Sequence, residues 1–369
     1  MDEIKPIRVA QIMGKLWAGG VEAVVFNYYR EVDKSKVQFD FFYDDDSTVE
    51  PPQDIVDMGA RFYKIPKYQN VLKYLKTLDK YFKDANYKIV HSHINSLSVL
   101  PLFVAWKRRI PIRIAHNHSV PGGTERWKNV LKNILKLFSK LFATKYCSCS
   151  DKAGRWLFGN KLFDKGMVTV INNAVNESFY QISEEEKTRI KKEFGLTNKF
   201  ILGHIGRLTY AKNHFFMIDL LKEVVKIKKN TVLFLVGDGE MKNDICKYIN
   251  DNNLDDKVIM IGQVENPQKF YSLVDVMLVP SFFEGLSLTT IESQIARVPV
   301  VASKAIPEEA IISDSCYRLE LSDSIQTWID TIIMCEKKEV SLNKNGNNYN
   351  IHKKARELTK MYEKWLEEL

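Results

Sequence analysis

Two series of short β-branched strands alternating with amphipathic helices predict an α/β protein made of two doubly wound parallel sheets. Three observations carry that expectation. The chain has 369 residues, enough for two domains. The strand–helix alternation restarts near Phe200, after the polar, helix-prone stretch SEEEKTRIKKEF. The longest apolar run, Ser98–Trp106, is too short to cross a bilayer.

The elements follow in order. The apolar run Ile7–Ile12 predicts a first strand, then a turn containing Gly14, Gly19 and Gly20, then a helix from about Val21. Val37–Tyr43 predicts a strand, Tyr68–Ala85 a helix and Ile89–His91 a strand. Ser96–Trp106 reads as helical, Ile112–His116 as a strand and Arg126–Leu141 as a helix with apolar residues at helical spacing. Tyr146–Ser148 and Val168–Ile171 close the first series. In the second series Phe200–Ile205 is a strand, about Asn213–Lys228 a helix, and Val232–Val236 a strand ending in Gly237-Asp238-Gly239. Val258–Ile261, Val276–Val279 and Val298–Ala302 are further strands. NKNGNNYN (343–350) is expected to be a loop. The terminal segment IHKKARELTKMYEKWLEEL (351–369) predicts an amphipathic helix, which could pack back across the domain junction or cap the second sheet. The expected domains are 1–176 and 177–350.

Composition narrows the class. At 45% hydrophobic and 27% charged residues the chain is globular rather than disordered. The N-terminus opens acidic and runs straight into a strand, unlike a signal peptide. Five cysteines, with no C-x-x-C pair and no zinc spacing, read as free thiols in a reducing cytoplasm. The net charge of +8 is concentrated: residues 101–150 hold ten Lys or Arg against one Glu. A local basic surface suits phosphates, on a ligand or a lipid. No aromatic-interleaved basic motif or nucleic-acid module is present. The first turn, MGKLWAGGVE, lacks the dinucleotide-binding G-x-G-x-x-G, which disfavours a dehydrogenase.

Ligands of doubly wound sheets bind at the carboxyl ends of the strands, so the loops there are the ones to search. After the strand Phe200–Ile205 comes GRLTYAKNH, where Arg207 and Lys212 could hold a diphosphate. After Val276–Val279 comes PSFFEGLSLTTIESQIARVPVVAS. Glu284-Gly285 forms a turn, Ser287, Thr289 or Thr290 can cap a helix, and Glu292 lies two turns in. The start of that helix would aim N–H groups at an anion, and Glu292 could accept from a vicinal diol such as ribose. RIAHNHS and VHSH put His116, His118, His91 and His93 at two neighbouring strand ends. YDDDST holds Asp44 and Asp46 at Asp-x-Asp spacing, read as a solvated acidic loop.

These motifs together resemble the retaining glycosyltransferases of family 4, which have the GT-B fold of two Rossmann-like domains facing a central cleft. The residues that carry the resemblance are GRLTYAKNH, VGDGE (236–240) and the E-x7-E stretch Glu284 to Glu292 with PVVAS behind it. VHSH, CSCSDKAGRWLFG and INNAVN add to it, so that it covers nearly the whole chain, and it is strongest to enzymes assembling capsular or exopolysaccharide units. The resemblance implies that Arg207 and Lys212 neutralise a donor diphosphate and that Glu292 holds ribose hydroxyls. Glu284, Gly285, Leu286, Ser287 and Leu288 would sit near the donor sugar and phosphate, with Gly206 beside them. Gly19 and Gly20 would form a loop closing on the diphosphate. One histidine near the donor sugar is implied, with His118 placed first and His116 second. It implies no metal and no cofactor beyond the nucleotide sugar, expected to be a UDP-sugar, and an acceptor saccharide expected to be lipid-linked. An epimerase or hydrolase of the same fold, or a non-catalytic partner subunit, is the alternative.

Two departures from the family pattern stand out. Arg297 replaces a usual glycine, and Asn172 and Ala174 stand where proline and glycine are common. Separately, Lys128, Lys132, Lys136 and Lys140 recur four apart in ERWKNVLKNILKLFSKLF. Their row could attract anionic headgroups while the apolar side, including Phe138 and Leu141, is expected in the core. The expected location is cytoplasmic, peripheral on the inner membrane face.

Overall fold

The computed structural model describes residues 6–17, 20–119, 135–264, 266–336 and 338–369. Its contacts divide the chain into two units, 1–175 with 348–369, and 176–347.

The first unit holds a seven-stranded parallel sheet: β1 (Ile7–Gly14), β2 (Val37–Asp44), β3 (Arg61–Ile65), β4 (Ile89–Ser92), β5 (Ile112–Asn117), β6 (Lys145–Ser148) and β7 (Val168–Val170). Their order is β3-β2-β1-β4-β5-β6-β7. The chain therefore winds one way from β1 to β3 and the other way from β4, and the switch falls between β1 and β4. Every residue of β2 (VQFDFFYD) is buried, as a parallel strand covered on both faces requires. Phe42, Ile65, Tyr74, Leu78, Phe82 and Leu102 are among the residues closing one core of this unit.

The second unit holds β8 (Phe200–Ile205), β9 (Thr231–Val236), β10 (Val258–Gly262), β11 (Val276–Val279), β12 (Val300–Ser303) and β13 (Cys316–Leu319). Their order, β10-β9-β8-β11-β12-β13, places the switch between β8 and β11. Helix starts are set by the polar residues before them. Ser183 accepts from the Glu186 N–H at 3.1 Å, ahead of three acids that suit the positive helix end, and Ser324 accepts from the Thr327 N–H at 3.1 Å.

The terminal helix Ile351–Glu367 belongs to the first unit and lies against the helix Gly20–Glu31. Asn350 caps it through the Lys353 N–H at 3.0 Å. His352 meets Glu31 at 2.7 Å and Lys36 meets Glu363 at 3.0 Å. Its buried face carries Ile351, Ala355, Leu358, Tyr362 and Trp365.

Several expectations need correction. Strands β3 and β13 add to the expected set; both are edge strands with half-exposed residues, so neither is a strong apolar run. Residues 344–349 form a short 3-10 turn with Tyr349 buried, rather than an open loop. Asp44 is not solvated. It is 2% exposed, and burial, with Asp46 and then Asp45 adding to it, lifts its carboxyl to about 7. Phe138 and Leu141 do not lie in the core; they are 47% and 64% exposed. Lys136 sits 5.3 Å from the Trp156 ring centre and Lys140 donates to the Phe158 carbonyl at 3.4 Å. Lys128 and Lys132 lie outside the described residues. Arg297 adopts φ 63°, in the left-handed region, where it is tied to Glu177 at 3.0 Å. Cys147, Cys246, Cys316 and Cys335 are free thiols. Among the described residues no helix is long and apolar enough to cross a membrane.

Candidate functional site

In the second unit the loops leaving β8 and β11 meet at the switch point. Asn213, at φ 59°, donates from its side chain to the Pro280 carbonyl at 3.1 Å. The Phe282 N–H donates to Ala211 at 2.9 Å, and the Tyr210 and Phe282 rings stack at 4.9 Å. This lacing brings Lys212 Nζ to 2.5 Å from Glu284 Oε1, which also accepts from Ser281 Oγ at 3.0 Å. The pair is half-buried, with side-chain exposures of 19% and 11%.

Glycines make the packing behind it possible. A Cβ on Gly237, at φ 138°, would fall 2.0 Å from the Gly206 carbonyl oxygen, and one on Gly239 would fall 2.4 Å from the Leu208 carbonyl oxygen. The turn after β9 therefore lies directly on the loop after β8. Arg207, on that loop, is exposed and donates to Glu240 at 3.3 Å.

The helix Leu288–Ile295 starts at the same edge. Thr289 Oγ1 donates to the last carbonyl of β8, Ile205, at 2.7 Å, pinning the helix start to the strand end. Ser287 takes φ 64° and makes no capping bond; its hydroxyl pairs with Thr290 Oγ1 at 2.9 Å. The sequence reading of these hydroxyls as caps is thus corrected: they bond sideways and downward. The first N–H groups of a helix favour an anion. Gly285 is half-buried, Leu286 and Ser287 are buried, and Leu288 opens the helix.

Glu292 is held differently from Glu284. Tyr271 donates to its Oε2 at 2.5 Å and Tyr180 also hydrogen-bonds it. Burial raises the Glu292 carboxyl above the usual range, while the two phenols oppose that. Both tyrosines are buried and were not singled out from sequence, since a lone Tyr 21 or more positions from a carboxylate carries no local signal. The structure therefore joins Lys212 to Glu284, keeps Arg207 on the neighbouring loop, and ties Glu292 to a tyrosine pair.

In the first unit, four histidines gather at the carboxyl ends of β4 and β5, beside β1. His116 and His118 stack at 4.0 Å, as do His91 and His93 at 4.3 Å. His91 Nε2 lies 3.0 Å from His116 Nδ1, and His93 Nδ1 lies 2.9 Å from His118 Nε2. At the rear, His91 Nδ1 meets the Tyr362 hydroxyl at 2.7 Å and His93 Nε2 meets Gln11 Oε1 at 2.8 Å. Burial drives all four toward the neutral form: His91 and His118 to about 3, His93 and His116 well below the usual value. A cavity of about 20 Å³ adjoins them, lined also by Tyr28, Val24 and Leu358. Gly20 starts the helix that follows β1, while Gly19 lies outside the described residues.

His91, His93 and His116 each present a ring nitrogen within 4.8 Å of the others. Imidazole suits a transition metal, but both nitrogens of His91 and His93 already have partners in the chain. A metal here would have to displace those bonds.

Comparison with known proteins adds the following. The family model described as Glycosyl transferases group 1 matches residues 186–349, and that described as Glycosyltransferase Family 4 matches residues 18–179. The capsular polysaccharide biosynthesis glycosyltransferase CapH of Staphylococcus aureus is 28% identical over 371 residues, covering 96% of this chain and 98% of that one. An Escherichia coli UDP-Gal:alpha-D-GlcNAc-diphosphoundecaprenol alpha-1,3-galactosyltransferase is 24% identical over 335 residues, covering 85% and 86%. Among solved structures, Anabaena Alr3699/HepE in complex with UDP superposes with a TM-score of 0.74 at 16% identity, covering 97% of this chain and 100% of that one. That last likeness bears on the fold alone.

Proposed function

This chain belongs to the glycosyltransferases that join a family 4 domain to a group 1 domain, and from that premise we propose that it moves a sugar from a UDP-sugar to a lipid-linked saccharide, with retention, in surface polysaccharide synthesis. The observation that carries the reading is the Lys212–Glu284 pair at the switch point of the second sheet, beside the start of the helix Leu288–Ile295. Cation, helix-start amides and the exposed Arg207 suit a diphosphate leaving group. CapH and the galactosyltransferase support the substrate class by their names.

In this reading Lys212, Arg207 and the amides of Gly285 to Leu288 stabilise charge on the departing diphosphate. Its phosphate oxygen takes the acceptor's proton on the face the nucleotide leaves, and Lys212, Arg207 and the amides supply the charge neutralisation that a divalent metal would otherwise give. Glu284 orients Lys212 and the donor sugar, and Glu292 accepts from ribose; His118, with His116 beside it, stays the candidate polar group of the first unit. Gly206, on the loop after β8, allows close backbone approach.

The exposed Leu137, Phe138 and Leu141 with Lys136 and Lys140 fit an anionic membrane surface, where such an acceptor would reside. The test of function is a panel of nucleotide sugars, screened by thermal shift and then by nucleoside diphosphate release with and without a lipid-linked saccharide. Acceptor-dependent release supports the transferase. Release or isomerisation without acceptor would turn the assignment to a hydrolase or epimerase.

A further inference from the structure

Gln11, in β1 and 1% exposed, bonds one row of the histidine cluster directly at His93 and reaches the other, His91–His116, through Tyr362. Its Oε1 faces His93 Nε2 at 2.8 Å, and its Nε2 donates to the Tyr362 hydroxyl at 3.4 Å. An amide has one accepting and one donating end, and a neutral imidazole has one N–H and one lone pair. With the amide in this orientation and the Tyr362 hydroxyl proton bonded, those two facts fix every proton in the cluster.

Oε1 can only accept, so His93 carries its proton on Nε2 and its Nδ1 is bare. Bare Nδ1 must accept, so His118 donates from Nε2, and its own Nδ1 is left bare. In the other row, Tyr362 accepts from Gln11, and its buried hydroxyl proton finds its acceptor at His91 Nδ1. His91 then donates from Nε2 to His116 Nδ1, and the His116 proton sits on Nε2. The nitrogens at the far ends, His116 Nε2 and His118 Nδ1, are buried and have no hydrogen-bond partner among the described residues. One is a donor and the other an acceptor.

We propose that Gln11 and Tyr362 are positioning residues that lock all four histidines into the Nε2–H form, so that His116 offers an N–H and His118 a lone pair to polar groups of the substrate. The two rows are coupled through a single side chain. Turning the Gln11 amide over would move all four protons to Nδ1 and exchange the roles of the two open nitrogens. Tyr362 comes from the terminal helix, so the docking of that helix sets the chemistry of residues about 250 positions earlier. The use of the open nitrogens by a sugar donor rests on the transferase reading. The proton positions do not.

The test uses full-length protein with 15N-labelled histidine, without substrate, read by long-range 1H–15N correlation at neutral pH. In the wild type His91, His93, His116 and His118 should all show a protonated Nε2 and a bare Nδ1. A histidine of the four protonated on Nδ1, or as imidazolium, overturns the proposal. In Gln11→Glu the carboxylate cannot donate. Tyr362 must turn its proton toward residue 11 and accept from His91 Nδ1, so His91 and His116 change tautomer while His93 and His118 keep theirs. Unchanged His91 and His116 signals overturn it. Should that variant fail to fold, Tyr362→Phe serves instead: the His91–His116 row loses its fixed proton and its ring signals average, while the His93–His118 row is unmoved. Fixed, wild-type signals in both rows would show that Tyr362 sets nothing. Because no sugar is needed, a failure here is separate from a failure of the transferase reading, which acceptor-dependent turnover tests.

Discussion

Lys212 and Glu284 give the most telling perturbation. In the free protein they form a half-buried pair at 2.5 Å, so a diphosphate must compete with Glu284 for the ammonium. Removing the cation with Lys212→Ala takes away a charge aimed at the leaving group. Loss of one such stabilising group costs about 3–4 kcal/mol of transition-state free energy, a fall of roughly 10²–10³ in kcat. Folding should lose less, about 1–3 kcal/mol, since the pair is partly hydrated and Ser281 still donates to Glu284. Glu284→Gln has the opposite effect on the ground state. It releases Lys212 for the phosphates, and a gain of about 1.4 kcal/mol corresponds to tenfold tighter UDP, while turnover falls because the orientation is lost. The assay is acceptor-dependent UDP release for kcat and KM, with calorimetric titration of UDP and a melting curve for each variant. A Lys212→Ala enzyme that is folded and turns over within a few-fold of wild type, or a Glu284→Gln protein that binds UDP more weakly, would refute the reasoning.

Acid should destabilise the first unit early. The histidines are neutral when folded, with His91 pushed down to about 3, whereas an unfolded histidine titrates near 6.5. Between those values the unfolded chain binds more protons, so stability falls as pH drops below about 6.5, by about 2 kcal/mol per such histidine at pH 5, while Asp44, raised to about 7, offsets about one histidine's share. Denaturant melts from pH 7.5 to 5 would show this, and a flat midpoint would contradict it. Gly237→Ala should cost about 2–4 kcal/mol, because its Cβ would meet the Gly206 carbonyl at 2.0 Å, and a melting temperature within a degree or two of wild type would rule that out. Flotation with anionic vesicles at low salt should carry the protein, Leu137→Glu with Leu141→Glu should abolish it, and failure of the wild type to float at low salt removes membrane association.

Much of the fold is legible in the sequence because parallel strands buried on both faces, such as Val276–Val279, must be apolar throughout. The edges are not. β3 (RFYKI) and β13 (CYRL) are half-exposed, and their charged residues hide the pattern. In the candidate site the local signals, a loop cation and a turn carboxylate after neighbouring strands, are readable because loops after strands in doubly wound sheets meet at the switch point. Contacts made across long stretches of chain are not readable. Tyr362 reaches His91 from 271 positions away, and Tyr271 reaches Glu292 on a neighbouring helix, with no local pattern to announce either. Asp44 misleads for a related reason: its neighbours are polar, yet its side chain turns into the protein.

The most direct test of a donor diphosphate leaving from the Lys212–Glu284 edge is the anomeric configuration of the product. The enzyme would be given an α-linked UDP-sugar and a lipid-linked saccharide, and the new linkage read by NMR against UDP released. An α-linked product formed in equal amount to UDP, and lost in Lys212→Ala, is the expected result. A β-linked product, or UDP released with no new linkage, would contradict it.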